Sequence, residues 1–228
     1  MTSHRQKQIE VIETIEKQVN DNTLNFSTVA PVSDFKNDPR ICLTSVHLPR
    51  PDLLAFITDT IISPLRIIEP SYYYYPANSL HMTIKNVRVV NDPPHFTDTD
   101  ITNAEKVFSE VIPNHKKFNV YFYRLFLLPN NLALFGTTDP ELDEIIFDLD
   151  GKLLGAGIPD DKKYANSKYF FNNMTLARFG KASSTFINKV REISETLVFA
   201  PYTIDSVSLV SCNSVFEKQN SFHTWQLK

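Results

Sequence analysis

Glycine is scarce in this chain, with five in 228 residues. No glycine-rich turn follows any strand-like run, which excludes a P-loop or a dinucleotide-binding crossover as a phosphate site. The only cysteines are Cys42 and Cys212, each inside an apolar run. A disulfide scaffold and a clustered metal site are therefore excluded, and two reduced, buried thiols are expected. Neither sign of charge dominates, since the formal net charge is −3. A broad basic coating is absent, so any RNA contact must be local, and no DNA-specific reading is expected. Residues 1–18 are polar, without a signal-like apolar stretch, and no run approaches the length of a membrane span. A cytoplasmic monomer without membrane contact is the expectation.

Apolar residues make up 42% of the chain and charged residues 21%, the balance of an ordinary globular protein. Its length suits one generous domain or two small lobes sharing a core. Ile9, Ile12, Ile15 and Val19 sit at near-helical spacing and predict an amphipathic helix over 6–19. A polar, proline-bearing connector runs to residue 39, so 1–39 reads as an N-terminal helix plus irregular segment, and 40–228 as the main domain. There the spacing predicts strands at 40–48, 72–75, 80–90, 117–128, 132–135, 169–179, 204–211 and 221–227. Helices are predicted at 51–62 and 101–111, along the stripe Leu142, Ile145, Ile146, Leu149 and Leu153, and after a Ser183 cap. Hairpins mixed with helices imply an α+β fold with mainly antiparallel sheets.

One short pattern occurs twice. Leu80-His81-Met82-Thr83-Ile84 and Asn172-Asn173-Met174-Thr175-Leu176 share Met-Thr-aliphatic, with a polar residue two positions before the threonine. Strand side chains alternate, so His81 and Thr83 share one face, as do Asn173 and Thr175, while the apolar residues anchor the other. Alone, the two motifs read equally well as unrelated half-buried strands. Their flanks decide the matter.

From Arg40 onward the chain resembles the 2H phosphoesterases, the group that includes LigT-like 2′-5′ RNA ligases and cyclic phosphodiesterases. Ile41 to Pro49 is similar to that family's opening strand, and Ser79-Leu-His-Met-Thr-Ile84 to its first His-x-Thr motif. Phe118 to Phe135 is similar to the strand pair between the lobes. Asn173-Met-Thr-Leu-Ala-Arg178 matches the second motif except that asparagine stands in the histidine position, and His223 to Leu227 resembles the last strand. The resemblance implies a bilobed, pseudo-twofold fold with two sheets flanked by helices around a central cleft. It implies a phosphodiesterase needing no cofactor and no metal, acting on a cyclic nucleotide, a 2′-5′ linkage or an RNA end bearing a 2′,3′-cyclic phosphate. Two histidines would move protons while the threonine hydroxyls hold the phosphate. Asparagine cannot carry a proton near neutral pH, so turnover by His81 alone would be slowed, by about 10²–10⁴-fold for a lost acid or base. The alternative is a non-catalytic nucleotide or RNA-end binder using the same cleft.

Simple alternation places Lys85 with His81 and Thr83, where it could meet a phosphate or simply face solvent. Tyr75 could stack a base or pack in the core. Alternation puts Arg178 opposite Asn173, favouring a structural ion pair. His47, His95, His115 and His223 read as surface or packing histidines.

Overall fold

Three helices of the described residues begin at a side-chain cap, Ser3, Thr97 or Ser183. In the computed structural model, which describes residues 3–26 and 28–228, helix α1 (His4–Asn20) starts at Ser3, whose hydroxyl accepts from the Gln6 amide. Strand β1 (Ile41–His47) leads into α2 (Pro51–Ile57). A single helix ending at 62 was the expectation. Instead the helix runs through a π-turn (Thr58–Ile62) into α3 (Ser63–Ile68). There the Ser63 amide reaches Thr58, a wider bond that makes room for the Pro64 ring and its missing donor.

Strand β2 is only Tyr73–Tyr74, and β3 spans Met82–Asn91. Helix α4 (Asp98–Val111) opens on a Thr97–Asp100 capping box. The expected hairpin is β4 (Phe118–Leu128) and β5 (Asn131–Thr138). Helix α5 (Glu141–Gly155) buries the whole predicted aliphatic stripe, each side chain worth about 1.5–3 kcal/mol. Strand β6 (Asn172–Arg178) and the Ser183-capped α6 (Ser184–Thr196) follow. Strands β7 (Tyr202–Ile204), β8 (Ser206–Asn213) and β9 (Gln219–Gln226) close the chain.

These strands form two wholly antiparallel sheets, ordered β3-β1-β8-β9 and β2-β6-β5-β4-β7. Each carries one motif strand, β3 in the first and β6 in the second. Helices α2 to α6 pack their apolar faces into a core shared by both sheets. Helix α1 instead lies on the other face of the second sheet, where Val11, Ile12 and Ile15 meet Phe126, Ala133 and Phe135. Buried Gln8 fixes it there, exchanging 2.8 Å hydrogen bonds with the Thr138 amide and hydroxyl.

The two motif strands share an irregularity. On β3, Val46 of β1 pairs with Thr83 and Ser45 with Lys85, so Ile84 is an extra residue. On β6, Ala133 of β5 pairs with Thr175 and Leu132 with Ala177, so Leu176 is extra. A bulge therefore follows the threonine of each motif and reverses the side-chain alternation beyond it.

Candidate active site

The bulges decide which side chains reach the cleft between the lobes. Before them the alternation holds, so His81, Thr83, Asn173 and Thr175 all line one cleft of about 550 Å³. The motif strands touch directly, the Asn172 amide donating to the Thr83 carbonyl at 3.5 Å. Beyond the bulges the faces swap. Arg178 pairs with Asn131, on the same β5 face as Ala133 and Phe135, and so joins Asn173 and Thr175. Asn86, paired with Thr44, takes the matching place three residues after Thr83, and both line the cleft.

Three expectations are corrected by this geometry. Lys85 is thrown onto the core side, buried at 2% exposure. Its ammonium pairs with Asp150 at 2.6 Å and with Asp160, and donates to the Tyr164 hydroxyl at 3.0 Å. Burial lowers its pKa, but Tyr164, Asp150 and Asp160 together outweigh burial and raise it. It braces the segment after α5 rather than meeting a phosphate. Arg178 does not form an ion pair, since no carboxylate stands within range among the described residues. Its guanidinium donates to the Tyr75 hydroxyl at 2.9 Å and the Ser214 carbonyl at 3.3 Å. Tyr75 is only 2% exposed and offers no ring face to a base. Its hydroxyl donates to Ser214 at 3.1 Å, so it positions Arg178.

His81 precedes β3 and stacks on Phe216 at 4.2 Å between centroids. Its Nδ1 lies 2.8 Å from the Ser79 carbonyl. A carbonyl only accepts, so Nδ1 carries the proton and Nε2 keeps its lone pair. Burial pushes this imidazole down to about 4, with the Ser79 carbonyl opposing and the Arg178 charge adding to the fall. Phe216, the platform, sits at φ 63°, a left-handed conformation costly for an aromatic residue. The Ser79 hydroxyl donates to its carbonyl at 3.3 Å, locking platform to motif.

The remaining histidines lie away from the cleft. His47 bonds Ser206 and Tyr202, His115 lies between Glu141 and Asp148, His95 is near Asp161, and His223 packs on Trp225. Of the six histidines, His81 alone lines the cleft among the described residues. Helix α1 and the connector contribute Ile15, Phe26, Val29 and Ala30 to its wall. Of the charged side chains lining it, Arg40, Lys162, Lys163 and Arg178 outnumber Asp161.

Among solved structures, ATU0111 of Agrobacterium tumefaciens superposes with TM-score 0.60 at 14% identity, over 90% of this chain and 96% of its own. TT0787 of Thermus thermophilus gives TM-score 0.53 at 12% identity, covering 82% and 97%. E. coli LigT complexed with 3′-AMP gives 0.50 at 12%, covering 83% and 98%. The chain has the LigT-like 2H phosphoesterase fold. No family model and no curated protein matches the sequence. Arg178, read from the sequence as facing away from Asn173, is the cleft-lining residue that alternation misplaced, and the intact Thr-Leu-Ala-Arg ending of the second motif was the signal that could have placed it.

Proposed function

We propose that this protein is a 2H-type phosphodiesterase whose substrate is a nucleotide or RNA end bearing a 2′,3′-cyclic phosphate or a 2′-5′ linkage. The observation that carries this reading is the convergence on one cleft of His81, Thr83, Asn173 and Thr175, which alternation places there, and of Arg178, which the bulge at Leu176 turns toward them. The threonine hydroxyls and the Asn173 amide would donate to phosphate oxygens, and Arg178 would balance their charge. His81 Nε2 would take the proton of the attacking water as its oxygen bonds to phosphorus. An arriving phosphate anion raises the pKa of that imidazole from its value in the empty cleft. With Asn173 opposite, the departing oxygen would draw its proton from solvent, which slows turnover. A nucleotide ligand is supported by E. coli LigT, a protein of the same fold, whose structure is complexed with 3′-AMP.

A second reading, a non-catalytic binder in the same cleft, is favoured by Asn173 alone, because a carboxamide cannot complete the proton relay. Turnover of 2′,3′-cyclic nucleotides and 2′-5′ oligonucleotides by wild type, His81→Ala and Asn173→His separates the two. Activity abolished in His81→Ala and raised at least tenfold in Asn173→His supports the enzyme. No turnover in any of the three proteins, with 3′-AMP still bound, establishes the binder.

A further inference from the structure

The two cysteines lie 170 residues apart in sequence yet face each other across β1 and β8. Cys42 and Cys212 are direct register partners, with their sulfurs 3.4 Å apart. Directly opposed residues of an antiparallel pair have Cα atoms about 4.5 or 5.5 Å apart, and both spacings fall within the range a disulfide bridges. Closing the bond therefore asks for side-chain rotation rather than backbone movement. Both thiols are free, and both sit on the sheet face that walls the cleft, which gives a small solute a route to them.

We propose that Cys42 and Cys212 form an oxidisable dithiol, converted by hydroperoxides into an intramolecular disulfide in the cleft wall. In the first step the Cys42 sulfur attacks the peroxide O–O bond, giving a sulfenic acid and one water. In the second the Cys212 sulfur displaces that hydroxyl, releasing a second water and leaving the disulfide. Two thiols and one hydrogen peroxide thus become one disulfide and two waters. The roles follow from the surroundings. The hydrogen bond with Cys212 holds the Cys42 thiol below its usual range against burial, and the Lys162 ammonium of the cleft wall works in the same sense. Cys212 is pushed well above its usual range by that same bond and by burial, so Cys42 reacts first, and Cys212 resolves because it is the register partner whose sulfur stands beside the Cys42 sulfur. The new bond would lie two residues from Ser214, whose carbonyl holds both Arg178 and Tyr75.

The test treats the reduced full chain with hydrogen peroxide, then counts thiols after unfolding and maps peptides without reductant. The thiol count should fall from two to zero, with loss of two hydrogens in mass, one peptide joining Cys42 to Cys212, and full reversal by dithiothreitol. In Cys212→Ser the reaction should halt at a Cys42 sulfenic acid that dimedone traps. Two thiols surviving in the wild type, linkage between chains, or separate oxidation of each cysteine to sulfinic acid would overturn the proposal. These readouts on the wild type decide it even where a variant fails to fold.

Discussion

Replacing Arg178 with methionine separates a ligand-binding arginine from a structural one. Arg178 is 6% exposed and its guanidinium has no carboxylate partner among the described residues. A buried, unpaired charge costs several kcal/mol in lost hydration, which its bonds to Tyr75 and Ser214 only partly offset. Methionine keeps much of the apolar stem and leaves no orphan, since the Tyr75 hydroxyl still donates to Ser214. Stability in urea should therefore change by no more than about 1 kcal/mol in either direction. Phosphate binding should suffer far more. Losing one charge-assisted hydrogen bond costs about 1.5–3 kcal/mol, or roughly 10- to 150-fold in the dissociation constant of inorganic phosphate or 3′-AMP by calorimetry. The His81 imidazole should also titrate higher by NMR, because the Arg178 charge is one of the effects lowering it. A variant destabilised by about 3 kcal/mol or more, with unchanged phosphate affinity and an unmoved His81, would refute the reasoning.

Acid should weaken the fold through His81. Its pKa falls from 6.5 to about 4 on folding, so the unfolded chain binds the proton more tightly. That contribution is complete above about pH 6.5 and is lost as pH falls toward 4. It amounts to at most about 3 kcal/mol, less where water reaches the ring. Denaturation of wild type and His81→Gln at pH 7 and pH 4 should show a smaller acid loss in the variant, and equal losses would exclude the effect. Lys85→Met should cost about 1–3 kcal/mol, below the range for breaking a fully buried pair, because Asp150 and Asp160 keep some water. It should leave the affinity for inorganic phosphate within twofold, and a tenfold loss would return Lys85 to the phosphate site. Gly136→Ala places a methyl 2.8 Å from Val120 Cγ1 and 3.1 Å from the Phe122 backbone nitrogen. Thermal unfolding should reveal a loss of about 1–3 kcal/mol from this overpacking, and an unchanged midpoint would show that the sheet yields.

The element order, the helices and both motif strands were legible because each rests on local physics. Periodicity marks a helix or a strand, and Ser183 announces its helix without reference to anything distant, whereas the Ser3 and Thr97 caps emerged only with the structure. His81, Thr83, Asn173 and Thr175 were placed on the cleft by alternation over two residues, too short a span for a bulge to intervene. Lys85 and Arg178 were misplaced by the same rule, because each lies one bulge further along. Tyr75 was offered as a stacking surface because a tyrosine run does not reveal which member the fold will bury.

The recurrence of the Met-Thr motif, the flanks around both copies and the asparagine in the second belong to the sequence itself, and together they point to the LigT-like fold and to one cleft shared by both motifs, with His81 the carrier of the proposed proton transfer. What only the tertiary structure decided is which side chains stand beside that carrier. A bulge is defined by the pairing of one strand with another, Ile84 against β1 and Leu176 against β5, and the strand's own residues do not specify that register. The same holds for Cys42 beside Cys212, and for α1 in the cleft wall. These contacts join segments far apart in the chain, and the fold settles them when the two sheets and their helices bury a common core.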